Sequence, residues 1–177
     1  MPRIESTNDP PTLPRYRGDM PTPEFILSLR EKVGHDPLPL VGVTAVVVHE
    51  GRVILGRRSD NGALTPVTGI VDPGEEPADA AVRETLEEAG VQARALRLAL
   101  VHQVPRVTYG NGDQADYLDL TFLCEWISGD PYPADGEMSE VGWYDLDDLP
   151  ELELPDMRAR IGAALSGAVE AQFHGGR

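Results

Sequence analysis

Three glutamates, Glu84, Glu87 and Glu88, stand at i, i+3 and i+4 within the stretch from Gly69 to Val91. At about 100° per residue, that spacing puts all three carboxylates on one face of a helix. Like charges so placed destabilise a helix by roughly 0.2–0.5 kcal/mol per pair, so the cluster needs a reason. A hard divalent cation such as Mg²⁺ takes oxygen ligands, and a carboxylate trio supplies them. The plainer alternative is a solvated acidic face. Arg83 directly precedes the trio and Glu75 lies in the segment before it.

The surrounding chain supplies the elements that position these groups. Pro73 and Gly74 mark a loop. Pro77 suits a first helical position, Asp79 the first turn and Gly90 the residue just past the end. On the helix between them, Ala78, Val82, Leu86 and Ala89 are expected to face the core. Upstream, Thr22-Pro23-Glu24 reads as a helix start, with Thr22 as cap, an apolar stripe of Phe25, Ile26, Leu29 and Val33, and Gly34 as stop. Leu40 to Val48 reads as a buried strand, Glu50-Gly51 as a turn and Arg52 to Leu55 as the returning strand. Leu64 to Val67 is a short strand that delivers Thr68 and Gly69. Downstream, Val91 to Val104 is extended, whole or broken near Arg94. Arg106 to Ala115 is a polar loop whose length suits substrate contact. Strands follow at Tyr117 to Ile127 and Ser139 to Asp145. Pro155 opens a last helix in which Met157, Ile161, Ala164, Leu165 and Val169 recur. The pattern predicts one α/β domain with a mixed sheet between helices. Residues 1–21 are a Pro-rich extended arm that can reach a neighbouring subunit in a homodimer, and residues 22–177 form the domain.

A chain of 177 residues suits one domain with an extension. The formal net charge is −15, which disfavours nucleic acid as a partner. An acidic protein that handles phosphates needs cations to bridge them, in keeping with the glutamate helix. Cys124 is the single cysteine, so no internal disulfide forms, and its apolar surroundings read as core. No signal-peptide pattern and no membrane-length apolar run is present, which predicts a soluble cytoplasmic protein with no membrane partner.

Gly69, Glu75, Arg83-Glu84, Glu87-Glu88 and Gly90-Val91 have the spacing of the signature of the Nudix hydrolases, which this chain resembles. Every polar and glycine position matches, and Thr85 alone stands where an aliphatic residue is usual. The resemblance covers roughly residues 38 to 170 and extends to the run Gly136 to Tyr144, with its acid, spacer and Trp143 before an aromatic. It implies the Nudix α/β/α sandwich and a Mg²⁺-dependent hydrolase, with Mn²⁺ as a substitute. The substrate would be a small nucleoside diphosphate derivative, cleaved at its diphosphate linkage. By the same resemblance Glu84, Glu87 and Glu88 are metal ligands, and the carbonyl of Thr68 or Gly69 adds another. Arg83 is expected to pair with Glu75 rather than with substrate.

The general base is either a signature glutamate such as Glu87 or a distant loop carboxylate. Glu137 leads the distant group from its spacing to Trp143, ahead of Asp135, Glu140, Asp113 and Asp116. Its loop is expected to swing over the sheet end and close on substrate. Arg57 and Arg58 each suit either a phosphate contact or a strand-end ion pair. Tyr109 either stacks on a base or stands exposed in its loop. ADP-ribose or another nucleotide sugar is the expected substrate, then nucleoside triphosphates. A catalytically silent nucleotide-sensing domain is the alternative, but it would be marked by lost glutamates and none is lost.

Overall fold

The computed structural model describes residues 22–173. The Pro-rich arm expected over residues 1–21 lies outside them. The chain runs α1 (Glu24–Val33), β1 (Leu38–His49), β2 (Arg52–Arg58), β3 (Leu64–Thr65), β4 (Val67–Ile70), α2 (Pro77–Ala89), β5 (Gln92–Gln103), β6 (Val107–Thr108), β7 (Gln114–Ser128), β8 (Met138–Asp145), α3 (Pro155–Leu165) and β9 (Gln172–Phe173). A 3₁₀ turn, Leu146–Asp148, joins β8 towards α3. The strands form one mixed sheet with the path β3-β2-β1-β7-β5-β9; β4 adds to β1, β6 to β7 and β8 to β2. The centre is the parallel pair β1 and β7, in register from Leu38 opposite Ala115 to Val48 opposite Glu125.

β-Branched residues fill β1 and alternate between two cores, as the two-residue period of a strand requires. Val43, Ala45 and Val47 pack under α2 with Ile54, Val67, Phe122 and Cys124. Val46 packs under α3 with Val53, Leu55, Met157 and Ile161. This is the helix–sheet–helix sandwich expected from the sequence. The Glu50-Gly51 turn has both central residues at positive φ, 48° and 75°. That geometry matches the right-handed strand twist and closes a two-residue hairpin, with His49 opposite Arg52. The strand β5 is continuous, with irregular pairing to β7 at Gln92/Ala93, Ala95/Arg97 and Leu98/Leu100. Its bulges are what reads as a break near Arg94.

Two sequence expectations are corrected. The buried face of α2 carries Ala80, Ala81, Thr85, Glu88 and Ala89, while Leu86, expected in the core, is 50% exposed. The stripe is therefore rotated toward Thr85. A threonine fits there because it has the bulk of valine and its hydroxyl donates to the Ala81 carbonyl one turn back, at 2.7 Å. The last helix stops at Leu165, and Val169 lies beyond it, 85% exposed. Gly167, at φ 71°, turns the chain away before Val169 is reached.

Thr85 supplies a stability test. Replacing it with valine forfeits a hydrogen bond of about 1 kcal/mol and gains apolar burial of about the same size. Urea unfolding of Thr85→Val should therefore show a change below about 1 kcal/mol, the two terms cancelling. Thr85→Asp buries an unpaired charge and should be strongly destabilised. Equal losses in the two variants would show that the hydroxyl, not the volume, holds this position.

Candidate functional site

The signature loop and helix are joined through Arg83. Its Nε and Nη2 donate to the two oxygens of Glu75 at 2.8 and 2.9 Å, and Nη2 also reaches the Ile70 carbonyl at 3.1 Å. Nη1 donates to Glu84 at 2.9 Å and to Glu87 at 3.0 Å. The expected bridge to Glu75 is thus present, and the same guanidinium also serves two of the three helix carboxylates. These bonds, with Glu75 first, push the Arg83 pKa further up. Its bond from Arg83 in turn holds the Glu75 carboxyl below its ordinary range. Glu75 closes the turn by accepting from the Asp72 amide at 3.0 Å.

Glu84 lies against β4, where it accepts from the Ile70 amide at 3.3 Å. Gly69 makes the approach possible, because a Cβ at that position would stand 2.0 Å from the Glu84 carboxyl carbon. Burial is the main cause that raises the Glu84 pKa from 4.5 to about 7, against the lowering influence of Arg83. Glu88 is the extreme case. It is 1% exposed, and among the described residues neither carboxylate oxygen has a hydrogen-bond partner. Burial, and then the charges of Glu84, Glu137 and Asp135, push its pKa well above 4.5, while Arg58 works the other way. Glu87 remains 53% exposed. The three carboxylates share a face but not an environment, and this is no solvated acidic patch.

Glu137 is brought to the same place by backbone bonds. After β7 the chain returns over the C-terminal end of α2, where Tyr132 and Ala134 donate their amides to the carbonyls of Ala89 and Glu88 at 3.1 and 3.0 Å. Ser59 holds the other side, its amide on the Glu137 carbonyl and its hydroxyl on that of Gly136, both at 2.9 Å. The segment expected to swing is therefore pinned at both ends. Burial, then Asp135, raises the Glu137 pKa, and Glu87 adds to it. The weaker base candidates fall elsewhere, apart from Asp135. Glu140 faces Arg57 at 3.6 Å, Asp113 accepts from His35, and Asp116 pairs with Arg106 at 2.7 Å.

The two adjacent arginines part company. Arg57 points to Gly62, Glu153 and Glu140 at the strand edge. Arg58 is buried, bonds Asp60 at 3.0 Å and Thr68 at 3.4 Å, and lines a pocket of about 590 Å³. Its charge acts on Glu88, Glu137 and Tyr109, so it stands between the acids and the pocket. Gly69, Ile70, Tyr109 and Tyr117 also line the pocket. Tyr109 is not an exposed loop residue: its hydroxyl meets that of Tyr117 at 2.5 Å, and burial raises its pKa.

Residues outside the sequence-based set complete the floor. Arg160 on α3 donates to Thr44 at 2.6 Å, Asp119 at 3.0 Å and Asp156 at 2.9 Å, and is 3% exposed. Asp119 also accepts from Thr121 at 2.8 Å. A signal was available: a charged residue within the apolar run of β7 has to find a buried partner.

Among the described residues, no group of three or more His, Cys, Asp or Glu side chains is already gathered around one cation position. The donor set nonetheless suits a hard cation. Glu88 offers two buried oxygens with no other partner, Glu84 lies beside it, and Glu87 stands on the same helix face. Glu84 and Glu87 spend oxygens on Arg83, so loading with a cation would loosen those pairs.

With this geometry in hand, comparison with known proteins places the chain. A family profile described as NUDIX domain matches residues 38–165. The chain belongs to the Nudix hydrolase family. It is 36% identical over 113 residues to the NAD-capped RNA hydrolase NudC of Chromobacterium violaceum, a match covering 62% of this chain and 40% of that protein. A second NudC, from Citrobacter koseri, is 34% identical over 103 residues, covering 58% of this chain and 37% of the relative. The chain thus spans about two fifths of the length of the curated relatives it matches. A solved Nudix hydrolase from Nitrosomonas europaea superposes with a TM-score of 0.62 at 22% identity, over 79% of this chain and 78% of that one. An ADP-ribose pyrophosphatase from Streptococcus suis gives 0.60 at 22% identity, over 77% and 98%. At that identity the two structures support the fold.

The stranded charge of Glu88 makes a prediction for the cation-free protein. Its raised pKa, with that of Glu84, means the folded state holds protons that the unfolded state has released. Stability should therefore fall as pH rises from about 4.5 through about 7, the window set by Glu84, and continue downward while Glu88 ionises. In EDTA, Glu88→Gln should flatten this slope and be the more stable protein at pH 8, read by thermal unfolding. A Gln variant less stable than the parent at pH 8 would mean that the carboxylate has partners in solution.

Proposed function

We propose that the chain is a divalent-cation-dependent hydrolase that cleaves the diphosphate linkage of a nucleoside diphosphate derivative. The observation that carries this reading is Glu88, a carboxylate with two buried, unpartnered oxygens beside Glu84 and close to an arginine-lined pocket. Glu84, Glu87, Glu88 and the Gly69 carbonyl would hold Mg²⁺ or Mn²⁺. A bound cation of this kind neutralises and polarises the diphosphate and lowers the pKa of water.

The chain's own residues do the rest. Arg58 faces the phosphates from the pocket side with a delocalised positive charge. Arg83 positions the ligand helix and is not spent on substrate. Glu137 accepts a proton as water attacks one phosphorus, the new P–O bond forms and the bridging P–O bond breaks. Its raised pKa brings it nearer neutrality, which suits a general base. The leaving phosphate ester carries the departing electron pair.

A pocket of about 590 Å³ lies within the range that holds a nucleotide-sized ligand. ADP-ribose or another nucleotide sugar remains the first substrate proposed. The 36% identity to NudC adds NAD-type dinucleotides as a second class, in place of nucleoside triphosphates. A net charge of −15 favours the free dinucleotide over a capped RNA. The silent-sensor alternative gains nothing, since every signature carboxylate is present.

The test is a panel of nucleoside diphosphate derivatives with Mg²⁺ or Mn²⁺, scored by mononucleotide release. Hydrolysis should stop in excess EDTA, and Glu87→Gln and Glu88→Gln should each lose most of kcat while staying folded. Full turnover in EDTA would overturn the reading. For the base, Glu137→Gln should cut kcat by roughly 10²–10⁴-fold, with Glu140→Gln near the parent. Unchanged kcat in Glu137→Gln would return the role to the signature helix.

A further inference from the structure

The family match begins at residue 38, yet the structure adds a helix ahead of it that packs against residues lining the pocket. Ile26 on α1 is buried among Leu38, Leu40 and Ala115, and Phe25 packs on the same cluster as Tyr109, Tyr117 and Ile70. Those last three residues line the pocket. A second grip is polar. Arg30, its side chain 12% exposed, donates through Nη2 to the Gln114 carbonyl at 2.5 Å and stands 3.5 Å from Asp113. Its Nη1 fixes the end of its own helix through the carbonyls of Gly34 and Asp36, at 3.0 and 2.6 Å. His35 adds a bond to Asp113 at 2.7 Å.

Asp113 is the hinge of the loop that carries Tyr109. Its carbonyl accepts from the Tyr109 amide at 2.9 Å, and its side chain and amide both bond Asn111, at 2.9 and 3.0 Å. Burial works to raise the Asp113 carboxyl, but the bonds from His35 and Asn111 and the charge of Arg30 hold it below its ordinary range. A displacement of α1 would thus pass through Arg30 to Asp113, then to Tyr109 and the hydroxyl pair with Tyr117.

We propose that α1 is a specificity element of the pocket: through Phe25 and Arg30 it sets the Tyr109–Tyr117 wall against which the aromatic base of the substrate packs. This rests on the nucleoside diphosphate reading above. Arg30 is a positioning residue and does not touch the ligand. The phosphate end of the site rests on bonds of its own, from Arg83 to Glu75, Glu84 and Glu87 and from Arg58 to Asp60 and Thr68, and meets this linkage at Ile70 and through the charge of Arg58 on Tyr109. Loss of the grip should therefore weaken recognition of the base and spare recognition of the phosphates.

Calorimetric titration with Mg²⁺ present separates the two ends, using AMP as a ligand with a base and inorganic pyrophosphate as one without. In Arg30→Ala the Kd for AMP should rise about tenfold while that for pyrophosphate stays within about twofold. Asp113→Asn keeps the volume and weakens the same link from the loop side, so it should reproduce the effect in a folded protein with a small drop in Tm. Unchanged AMP affinity in both variants, or equal loss for AMP and pyrophosphate, overturns the inference. So does a parent protein that binds pyrophosphate but not AMP, which leaves the diphosphate reading standing. A parent that binds neither overturns both.

Discussion

The guanidinium of Arg83 is shared between a loop, a strand and a helix, and the site depends on that division. Glu75 in the loop takes two of its donors, the Ile70 carbonyl on β4 takes one, and Glu84 and Glu87 on α2 share the rest. A planar fork that stays charged at all working pH values is suited to this, where a lysine point charge would serve one partner at a time. The distribution also decides what is left over. With one cation engaged by three carboxylates, the fourth, Glu88, has no hydrogen-bond partner among the described residues and is 1% exposed. The same residue that secures the fold of the loop thereby leaves a charge for something else to balance.

The sheet turns this local arrangement into a site with two compartments. Successive residues of β1 face opposite layers, so the strand serves the α2 core and the α3 core at once. The acids belong to the α2 side. The polar floor of Arg160, Asp119 and Thr44 belongs to the α3 side. The end of β4 and the buried Arg58 lie between them. A molecule that spans the boundary would present its phosphates to the acids and its remaining bulk to the tyrosine wall.

Much of this was legible from local rules. Pro77 and Gly90 bound α2 as expected, and the β-branched run from Leu40 marked β1. The Arg83–Glu75 link was implied by the resemblance to the Nudix signature. Facing was harder. Apolar residues alone put Leu86 on the buried stripe of the helix and leave Thr85 out of it. A threonine that bonds its own helix, and a glutamate kept buried for its charge, both break that rule. Arg57 and Arg58 were indistinguishable because the expected strand stopped at Leu55; β2 in fact runs to Arg58, and its alternation puts Arg58 on the face of Ile54 and Arg57 on that of Val53 and Leu55. The Arg160 network joins residues from β1, β7 and α3; the charge of Asp119 within the apolar run of β7 signals a buried partner but not which residue supplies it. The support of the Tyr109 loop by α1 is of the same kind.

The parallel pairing of β1 with β7 bears on how the molecule comes to exist. Leu38 must find Ala115 and Val48 must find Glu125, with five strands and the signature helix strung between them. Closing so large a loop carries an entropic cost before any contact rewards it, which slows folding. On the ribosome, β1 emerges long before its principal partner does. During that interval an apolar, β-branched segment has one edge unpaired, the condition in which chains associate wrongly. The hairpin with β2 and the short addition of β4 cover the other edge early. The acid-bearing helix can therefore dock on a partial sheet, whereas the pocket has no floor until β7 and α3 have been made. Chemical competence would arrive last, with the C-terminal third of the chain.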